Sequence, residues 1–229
     1  MTTIDQIESI LQIPETDKKT PVRVEEARFI YQFIQEKKIS KTLEVGLGYG
    51  RSAAYIMLAT QQPHTAIDPF QKNYGYQAVK NIQAAGLGAA FTHIEDFSHF
   101  ALPELCHKNE QYDFIFIDGD HKFDGILIDF YFAAMLVKKG GYILFHDTWM
   151  RSTRLVNQFV EKNRHDFKTH PVALSNLHLI QKIQDTDPRD GMYFQEFYTT
   201  KSWFKYRLIT DLNDHPNSLL GKVKKLIRP

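Results

Sequence analysis

Hydrophobic and polar positions follow two periods that alternate along this chain. Segments with apolar residues three and four positions apart, typical of amphipathic helices, are separated by short apolar runs, typical of strands. The helical period predicts helices at 3–11, 24–36, 51–60, 75–85, 100–108, 125–137 and 153–163. The apolar runs predict strands at 42–46, 65–67, 90–94, 112–117 and 142–145, and an antiparallel pair at 167–174 and 177–183.

This alternation predicts an α/β fold, with a doubly wound, mostly parallel sheet and helices on both faces. The run at 112–117 is almost continuously apolar, as expected for a central parallel strand that is buried on both sides. Lys138 and Lys139 precede two glycines and predict the last turn of the helix 125–137, because cations are favoured at a helix C-terminus. We expect three parts along the chain: a helical cap at 1–40, a catalytic domain at 41–185 and an extension at 186–229.

Composition limits the class of protein. The chain has 229 residues, 43% of them hydrophobic and 24% charged, and a net charge of +1, which predicts no strong attraction to nucleic acid. The single cysteine, Cys106, excludes an internal disulfide and a cysteine zinc site. The N-terminus lacks a signal-peptide pattern, and no apolar run approaches the ~18–20 residues of a membrane span. We therefore expect a cytoplasmic protein without a transmembrane segment.

The run Glu44-Val45-Gly46-Leu47-Gly48-Tyr49-Gly50 lies between a predicted strand and a predicted helix. Glycine accepts a positive φ and lets a ligand lie against bare backbone, and the helix that follows directs its free N–H groups at the same place. A dinucleotide fingerprint requires Gly-x-Gly-x-x-Gly. Here the third glycine comes one residue early, and Arg51 occupies its position. The turn therefore predicts a ligand site that differs from the usual dinucleotide site.

Acidic or chelating residues stand at the ends of five predicted strands, at the sheet edge where doubly wound folds bind ligands. They are Glu44, Asp68, Glu95 with Asp96, Asp118, and His146 with Asp147. Asp68 lies 22 residues after Gly46, where an acid can accept hydrogen bonds from the ribose hydroxyls of any adenosine cofactor. The strands 112–117 and 142–145 should be neighbours, because a right-handed crossover joins them. We therefore expect Asp118 and Asp147 to converge.

The pattern Glu-x-Gly-x-Gly-x-Gly resembles the cofactor loop of class I S-adenosylmethionine-dependent methyltransferases. The resemblance extends over roughly residues 20–183 and implies a Rossmann-like sheet of seven strands with a closing antiparallel strand. It also implies a set of residues that bind S-adenosylmethionine: Glu44, Gly46, Gly48, Gly50, Ser52, Asp68, Asp96, Phe97 and Asp118.

The sequences Asp118-Gly119-Asp120-His121 and His146-Asp147 resemble a subgroup, the metal-assisted O-methyltransferases of catechol and sugar type. The resemblance implies a Mg²⁺ or Mn²⁺ ion held by Asp118, Asp147 and His146. It implies catalytic roles for Asp118 and for His121, which is preferred over Asp120 as the general base because sugar-modifying relatives carry a histidine three residues after the first metal acid. Catechol-type relatives have Asp-Asn where this chain has His146-Asp147, and a histidine ligand would also admit zinc.

Three functions stay open on the sequence alone. The first is a metal-assisted O-methyltransferase that acts on a small molecule or a sugar. The second is a metal-independent methyltransferase that acts on oxygen or nitrogen. The third is a nucleotide-binding protein of another class, either an NAD-dependent oxidoreductase or a catalytically silent binding module, and Arg51 at the last glycine position weighs against the oxidoreductase.

The segment 186–229 is aromatic in its first half and basic from Lys201 onward. So many aromatic residues predict that the first half packs on another surface. Three alternatives stay open: a lid over the acceptor site, a contact within a homodimer, or weak docking of the basic end on an anionic membrane.

Overall fold

The computed structural model describes residues 2–197. The chain divides into two compact units, Met1–Tyr193 and Phe194–Pro229. Of the second unit only residues 194–197 are described, and in it the rings of Phe194 and Phe197 lie 6.2 Å apart. The predictions for residues 198–229 lie outside the described residues, and the three-part division of the chain stays a prediction.

Helices and strands alternate through the first unit. Its α-helices, within residues 2–197, are α1 Ile7–Ile10, α2 Val24–Lys37, α3 Arg51–Thr60, α4 Gln77–Ala84, α5 Ser98–His107, α6 Phe123–Leu136 and α7 Arg151–Asn163. Its strands, in the same range, are β1 Thr42–Val45, β2 His64–Ile67, β3 Phe91–Ile94, β4 Tyr112–Ile117, β5 Val137–Phe145, β6 Phe167–His170 and β7 His178–Lys182. No helix in this part of the chain is both long and apolar enough to span a bilayer.

The strands form one seven-stranded sheet in the order β3-β2-β1-β4-β5-β7-β6. Strands β1 to β5 run parallel, and β7 is antiparallel to both β5 and β6. The predicted α/β fold and the closing antiparallel pair are thereby confirmed. In the central strands Val45 pairs with Ile67 and Ile117, and Ile117 pairs with Phe145. The residues that follow these strands therefore emerge at the same level of one sheet edge.

The core lies on both faces of the sheet, as the apolar run in β4 predicts. Ile115 and Ile117 pack into the cluster formed with α5, α6 and α7, whereas Phe114 and Phe116 pack into the cluster formed with α1, α2 and α3. All four side chains are at most 3% exposed. Packing on both faces thus holds the end of β4 in place. The residue that follows β4 therefore has a fixed position at the sheet edge.

The boundary between α6 and β5 differs from the prediction. Helix α6 ends at Leu136 and β5 begins at Val137, five residues before the predicted strand. Lys138 and Lys139 therefore lie in the strand and not in the last helical turn. The ammonium group of Lys138 donates a hydrogen bond of 2.7 Å to the carboxylate of Asp113 in β4. Its positive charge is therefore paired with a charge on the neighbouring strand. The helix predicted at 3–11 is also shorter, because only Ile7–Ile10 is helical.

Candidate active site

The turn between β1 and α3 has the backbone that its glycines predict. Gly46, Gly48 and Gly50 take φ values of +89°, +51° and +80°. A Cβ on Gly46 would lie 2.1 Å from the carbonyl oxygen of Asp118, and a Cβ on Gly50 would lie 3.1 Å from the Cβ of Ala78. A Cβ on Gly48 would meet nothing within 4 Å. Two of the glycines are therefore required by packing, and the third borders open space.

Asp68 follows β2 and organises the glycine turn. Its Oδ2 accepts hydrogen bonds from the backbone N–H groups of Leu47 (3.0 Å) and Gly48 (3.1 Å) and from the Gln71 amide (3.1 Å). Its Oδ1 accepts one from the backbone N–H of Phe70 at 2.7 Å. The side chain is buried, and four donors occupy most of the acceptor capacity of a carboxylate. The structure thus gives Asp68 a structural role in the turn, and its predicted contact with the ribose hydroxyls of a cofactor stays a prediction.

Glu44 lies in β1 beneath the same turn and is fully buried. Neither of its carboxylate oxygens has a hydrogen-bond partner among the described residues, and the nearest ion-pair atom, Nε2 of His64, is 3.6 Å away. Burial raises the pKa of Glu44, and the neighbouring His64 and Ser52 oppose this rise. A buried acid without a close donor is costly unless a partner or a proton reaches it. Glu44 is therefore suited to receive a cationic group at this end of the turn.

Asp96 and Phe97 stand after β3 on the neighbouring part of the edge. The carboxylate of Asp96 accepts a hydrogen bond from the backbone N–H of Phe97 at 2.7 Å. The Phe97 ring is half-exposed and meets the ring of Phe70 edge-on, with the ring centres 5.8 Å apart. The two rings form an aromatic rim two residues after Asp68, where a flat heterocycle can stack.

Asp118, His121 and Asp147 converge beyond the ends of β4 and β5. Each offers one ligand atom, and these atoms lie within 4.8 Å of one another. Nε2 of His121 lies 3.0 Å from Oδ2 of Asp147, and Oδ1 of Asp147 accepts a hydrogen bond of 2.9 Å from the Trp149 indole. We refer to Asp118, His121 and Asp147 as the acceptor cluster. The convergence of the two acids expected from the sequence is present.

The charges of the acceptor cluster shift one another's protonation. Burial raises the pKa of Asp118, against the attraction of His146 and His121. Burial alone would raise the pKa of Asp147 as well. Hydrogen bonds from His121, His146 and Trp149 outweigh the effect of burial and hold the pKa of Asp147 well below its usual range. The hydrogen bond to Asp147 in turn raises the pKa of His121 above its ordinary 6.5. Asp147 is therefore ionised, and it holds the imidazole of His121.

His146 lies among three carboxylates. Its Nδ1 is 2.8 Å from Oδ1 of Asp118 and 3.4 Å from Oδ1 of Asp147, and its Nε2 is 3.1 Å from Oε2 of Glu26. Burial would lower the pKa of His146, but these acids outweigh it and raise the pKa to about 12. A ring with a proton on each nitrogen has no lone pair for a metal ion. The role of His146 as a ligand stays a prediction, and this arrangement favours His121 as the imidazole of the cluster.

Sequence analysis missed two residues that complete the surroundings of His146. Glu26, in the first turn of α2, is fully buried, and its Oε1 lies 3.1 Å from the side-chain nitrogen of Asn176. Glu26 caps the first turn through the backbone of Arg23, but Arg23 is not the serine or threonine that marks a capping box in a sequence. Nothing in that local pattern indicates that the glutamate turns inward toward a strand end 120 residues away.

The comparison with protein families decides the class. Residues 43–148, from β1 to the residue after Asp147, match a family model described as a methyltransferase domain. The chain carries an S-adenosylmethionine-dependent methyltransferase domain. The S-adenosylmethionine-dependent methyltransferase predicted from the glycine turn is thereby confirmed. No curated protein matches the methyltransferase in sequence.

The fold of the methyltransferase is similar to several solved structures of low sequence identity. The O-methyltransferase from Bacillus cereus in complex with SAH is 18% identical, with a TM-score of 0.66 over 80% of this chain and 93% of that one. TomG, an O-methyltransferase from Streptomyces achromogenes in complex with SAM, is 15% identical, with a TM-score of 0.62 over 79% and 88%. The SAH-bound methyltransferase PaMTH1 from Podospora anserina is 18% identical, with a TM-score of 0.62 over 78% and 86%. The similarity to these structures, which share the Rossmann-like fold, covers 78–80% of this chain.

Proposed function

We propose that this methyltransferase methylates a hydroxyl oxygen of a small molecule or a sugar, with the help of a divalent metal ion. The observation that carries the proposal is the acceptor cluster, in which two acids and an imidazole meet at the edge of the sheet. Two of the similar structures are O-methyltransferases by name, which supports oxygen as the acceptor atom.

The glycine turn and the acids around it fit the cofactor. S-adenosylmethionine supplies the methyl group as an electrophilic carbon on a sulfonium. The open space at Gly48 leaves room for a ligand against the backbone, and Asp68 fixes the turn that borders this space. The unpartnered carboxylate of Glu44 suits the cationic amino-acid end of the cofactor. We assign the remaining cofactor contacts, those of Gly46, Gly50, Ser52, Asp96, Phe97 and Asp118, on the basis of the family resemblance.

The acceptor cluster also fits a hard or borderline divalent ion. Asp118 and Asp147 offer carboxylate oxygens, the ligands that Mg²⁺ and Mn²⁺ prefer, and His121 lies beside them with its Nδ1 left for the acceptor proton. Such an ion would lower the pKa of a hydroxyl bound to it. Vicinal hydroxyls suit this site, since two oxygens can chelate one ion, and both a catechol ring and a sugar diol offer them.

His121 is placed to take the proton of the acceptor hydroxyl. Because Asp147 accepts the hydrogen bond from Nε2, the neutral ring carries its hydrogen there and leaves Nδ1 as the basic atom. Asp147 thus fixes both the tautomer and the orientation of the ring. Alignment of the acceptor oxygen adds to this effect, because orientation alone is worth ~7–11 kcal/mol in well-aligned intramolecular reactions.

A chelator experiment tests the metal. Methyl transfer from S-adenosylmethionine to a catechol and to a methyl glycoside is measured with and without excess EDTA. We expect EDTA to abolish turnover and added Mg²⁺ or Mn²⁺ to restore it, while calorimetry shows an unchanged affinity for S-adenosylhomocysteine. Full turnover in excess EDTA would favour the metal-independent alternative. One observation favours the metal-independent alternative. The His146 imidazolium already places a positive charge 2.8 Å from Asp118, where a metal ion would bind.

The pH dependence of turnover tests His121 as the base. Because its folded-state pKa lies above 6.5, the ring is protonated below that pH and loses its proton as pH rises through the raised pKa. We expect kcat to rise along this limb, and His121→Gln to lower kcat by about 10²–10⁴-fold and to remove the limb. The measurement is kcat against pH for both proteins, with S-adenosylhomocysteine affinity as the control. A variant within a few-fold of wild type, with the limb intact, would exclude His121 as the base.

A further inference from the structure

We propose that Glu26, on the N-terminal helix α2, is a positioning residue of the methyl-transfer site: it holds the His146 ring and, through that ring, Asp118. The geometric part of the inference stands on the contacts alone, and its activity readout rests on the proposed function. Neither residue 26 nor helix α2 belongs to the stretch 43–148 that carries the methyltransferase family match.

The contacts of Glu26 exceed what a helix cap requires. A capping-box glutamate needs only the backbone N–H of the N-cap residue, and Glu26 accepts that hydrogen bond from Arg23 at 2.8 Å. Three other groups also meet its carboxylate: the Arg23 guanidinium at 2.9 Å, the His146 ring at 3.1 Å and the Asn176 amide at 3.1 Å. A residue that only capped α2 would not need His146 and Asn176, which lie 120 and 150 positions away in the sequence.

The ring of His146 transmits this placement to Asp118. Each ring nitrogen faces a carboxylate oxygen, Asp118 on one side at 2.8 Å and Glu26 on the other at 3.1 Å. Both contacts require the ring in a single orientation, and the Asn176 side-chain nitrogen, 3.0 Å from Nε2, borders the ring on the same side as Glu26. If the ring turned, it would lose both carboxylate partners at once. Oδ1 of Asp118 is therefore held beside the ring.

The burial of Glu26 distinguishes it from its neighbour. The Glu26 side chain is 0% exposed, whereas that of Glu25 is 59% exposed, although both follow the same N-cap residue. A buried ion pair is weak evidence for stability, because the cost of removing charges from water offsets their attraction. A buried acid can instead serve to orient another side chain at a reacting centre. Loss of a residue that hydrogen-bonds to a metal-binding or catalytic side chain typically costs about 10–100-fold in metal affinity or activity.

Glu26→Gln tests the proposal, with Glu25→Gln as a matched control on the same helix. Glutamine keeps the shape of the side chain and removes its charge. We expect Glu26→Gln to lower kcat by about 10–100-fold with an unchanged affinity for S-adenosylhomocysteine, and Glu25→Gln to leave both unchanged. Nitrogen-15 NMR of the histidine rings should show a changed Nε2 signal for His146 in Glu26→Gln, and a signal like that of the wild type in Glu25→Gln.

Two outcomes would overturn the proposal. One is a Glu26→Gln variant with the kcat and the ring signals of Glu25→Gln. The other is an equal fall in kcat and in cofactor affinity together with a lower unfolding temperature, as a purely structural role would give. If Glu26→Gln does not fold, Asn176→Ala removes the amide at the same carboxylate, and an unchanged kcat in that variant also overturns it. A wild-type protein that transfers no methyl group would refute the proposed function, and the ring signals would still test the position of His146.

Discussion

Gly48→Val is expected to abolish the binding of S-adenosylhomocysteine while the protein keeps a cooperative unfolding transition. A Cβ at this position meets nothing within 4 Å, so the branched side chain enters the space that the cofactor needs. The φ of +51° adds a backbone cost of about 1–2 kcal/mol, which is small beside a typical folding free energy of about 5–15 kcal/mol. Titration calorimetry and thermal denaturation measure the two effects separately.

Gly46→Val provides the contrast. Its Cβ would lie 2.1 Å from the carbonyl oxygen of Asp118, where neither backbone can move without disturbing the end of β4. We expect this variant to lose the folded state itself. If Gly48→Val bound S-adenosylhomocysteine with wild-type affinity, the glycine turn would not be the cofactor loop.

Asp147→Asn is expected to lower kcat by about 10⁴-fold, as happens when the acid that orients a catalytic histidine becomes an amide. The amide can offer its N–H to His121, which reverses the hydrogen bond at Nε2 and places the ring hydrogen on the wrong nitrogen. It also removes one carboxylate from the acceptor cluster. The fold should survive, because asparagine tolerates the φ of +52° that Asp147 adopts. Single-turnover kinetics with saturating cofactor gives the size of the effect.

Asp120→Asn is the matched control for this change. Asp120 carries the same charge change near the acceptor cluster, but its carboxylate accepts a hydrogen bond from the backbone N–H of Lys122 at 3.1 Å, at the start of α6. We expect its kcat to stay within a few-fold of wild type. Equal losses in the two variants would show that the local charge, and not the contact of Asp147 with His121, determines the rate.

The sequence predicts the fold and most of the sheet edge because the relevant signals are local. Gly46, Asp68 and Asp118 each follow directly on a strand and Asp147 comes one residue later, so predicting the strand also places the residue. The prediction is wrong at Lys138 and Lys139, where local charge indicated a helix end but β5 already begins at Val137, which pairs with Tyr112 in β4. Cross-strand partners are not visible in a local window.

The surroundings of His146 could not be predicted for the same physical reason. Glu26 caps α2 by accepting a hydrogen bond from the backbone N–H of Arg23. Its second role depends on how α2 packs against the sheet. Asn176 gave no signal beyond that of a turn between β6 and β7. Long-range contacts between polar residues carry no periodicity, so the environment that protonates His146 appears only in three dimensions.

The hydrogen bond between Glu26 and Asn176 joins two residues 150 positions apart and has a consequence for the order in which the protein forms. A chain leaves the ribosome from its N-terminus, and contacts between distant residues form slowly because the long intervening loop must close first. The glycine turn can form early, since Asp68 lies only 20 residues from Gly48. The surroundings of His146 must wait for the loop between β6 and β7. A nascent chain halted after α7 would therefore hold its cofactor turn and the residues of the acceptor cluster, but it would lack the Asn176 amide beside Glu26 and His146.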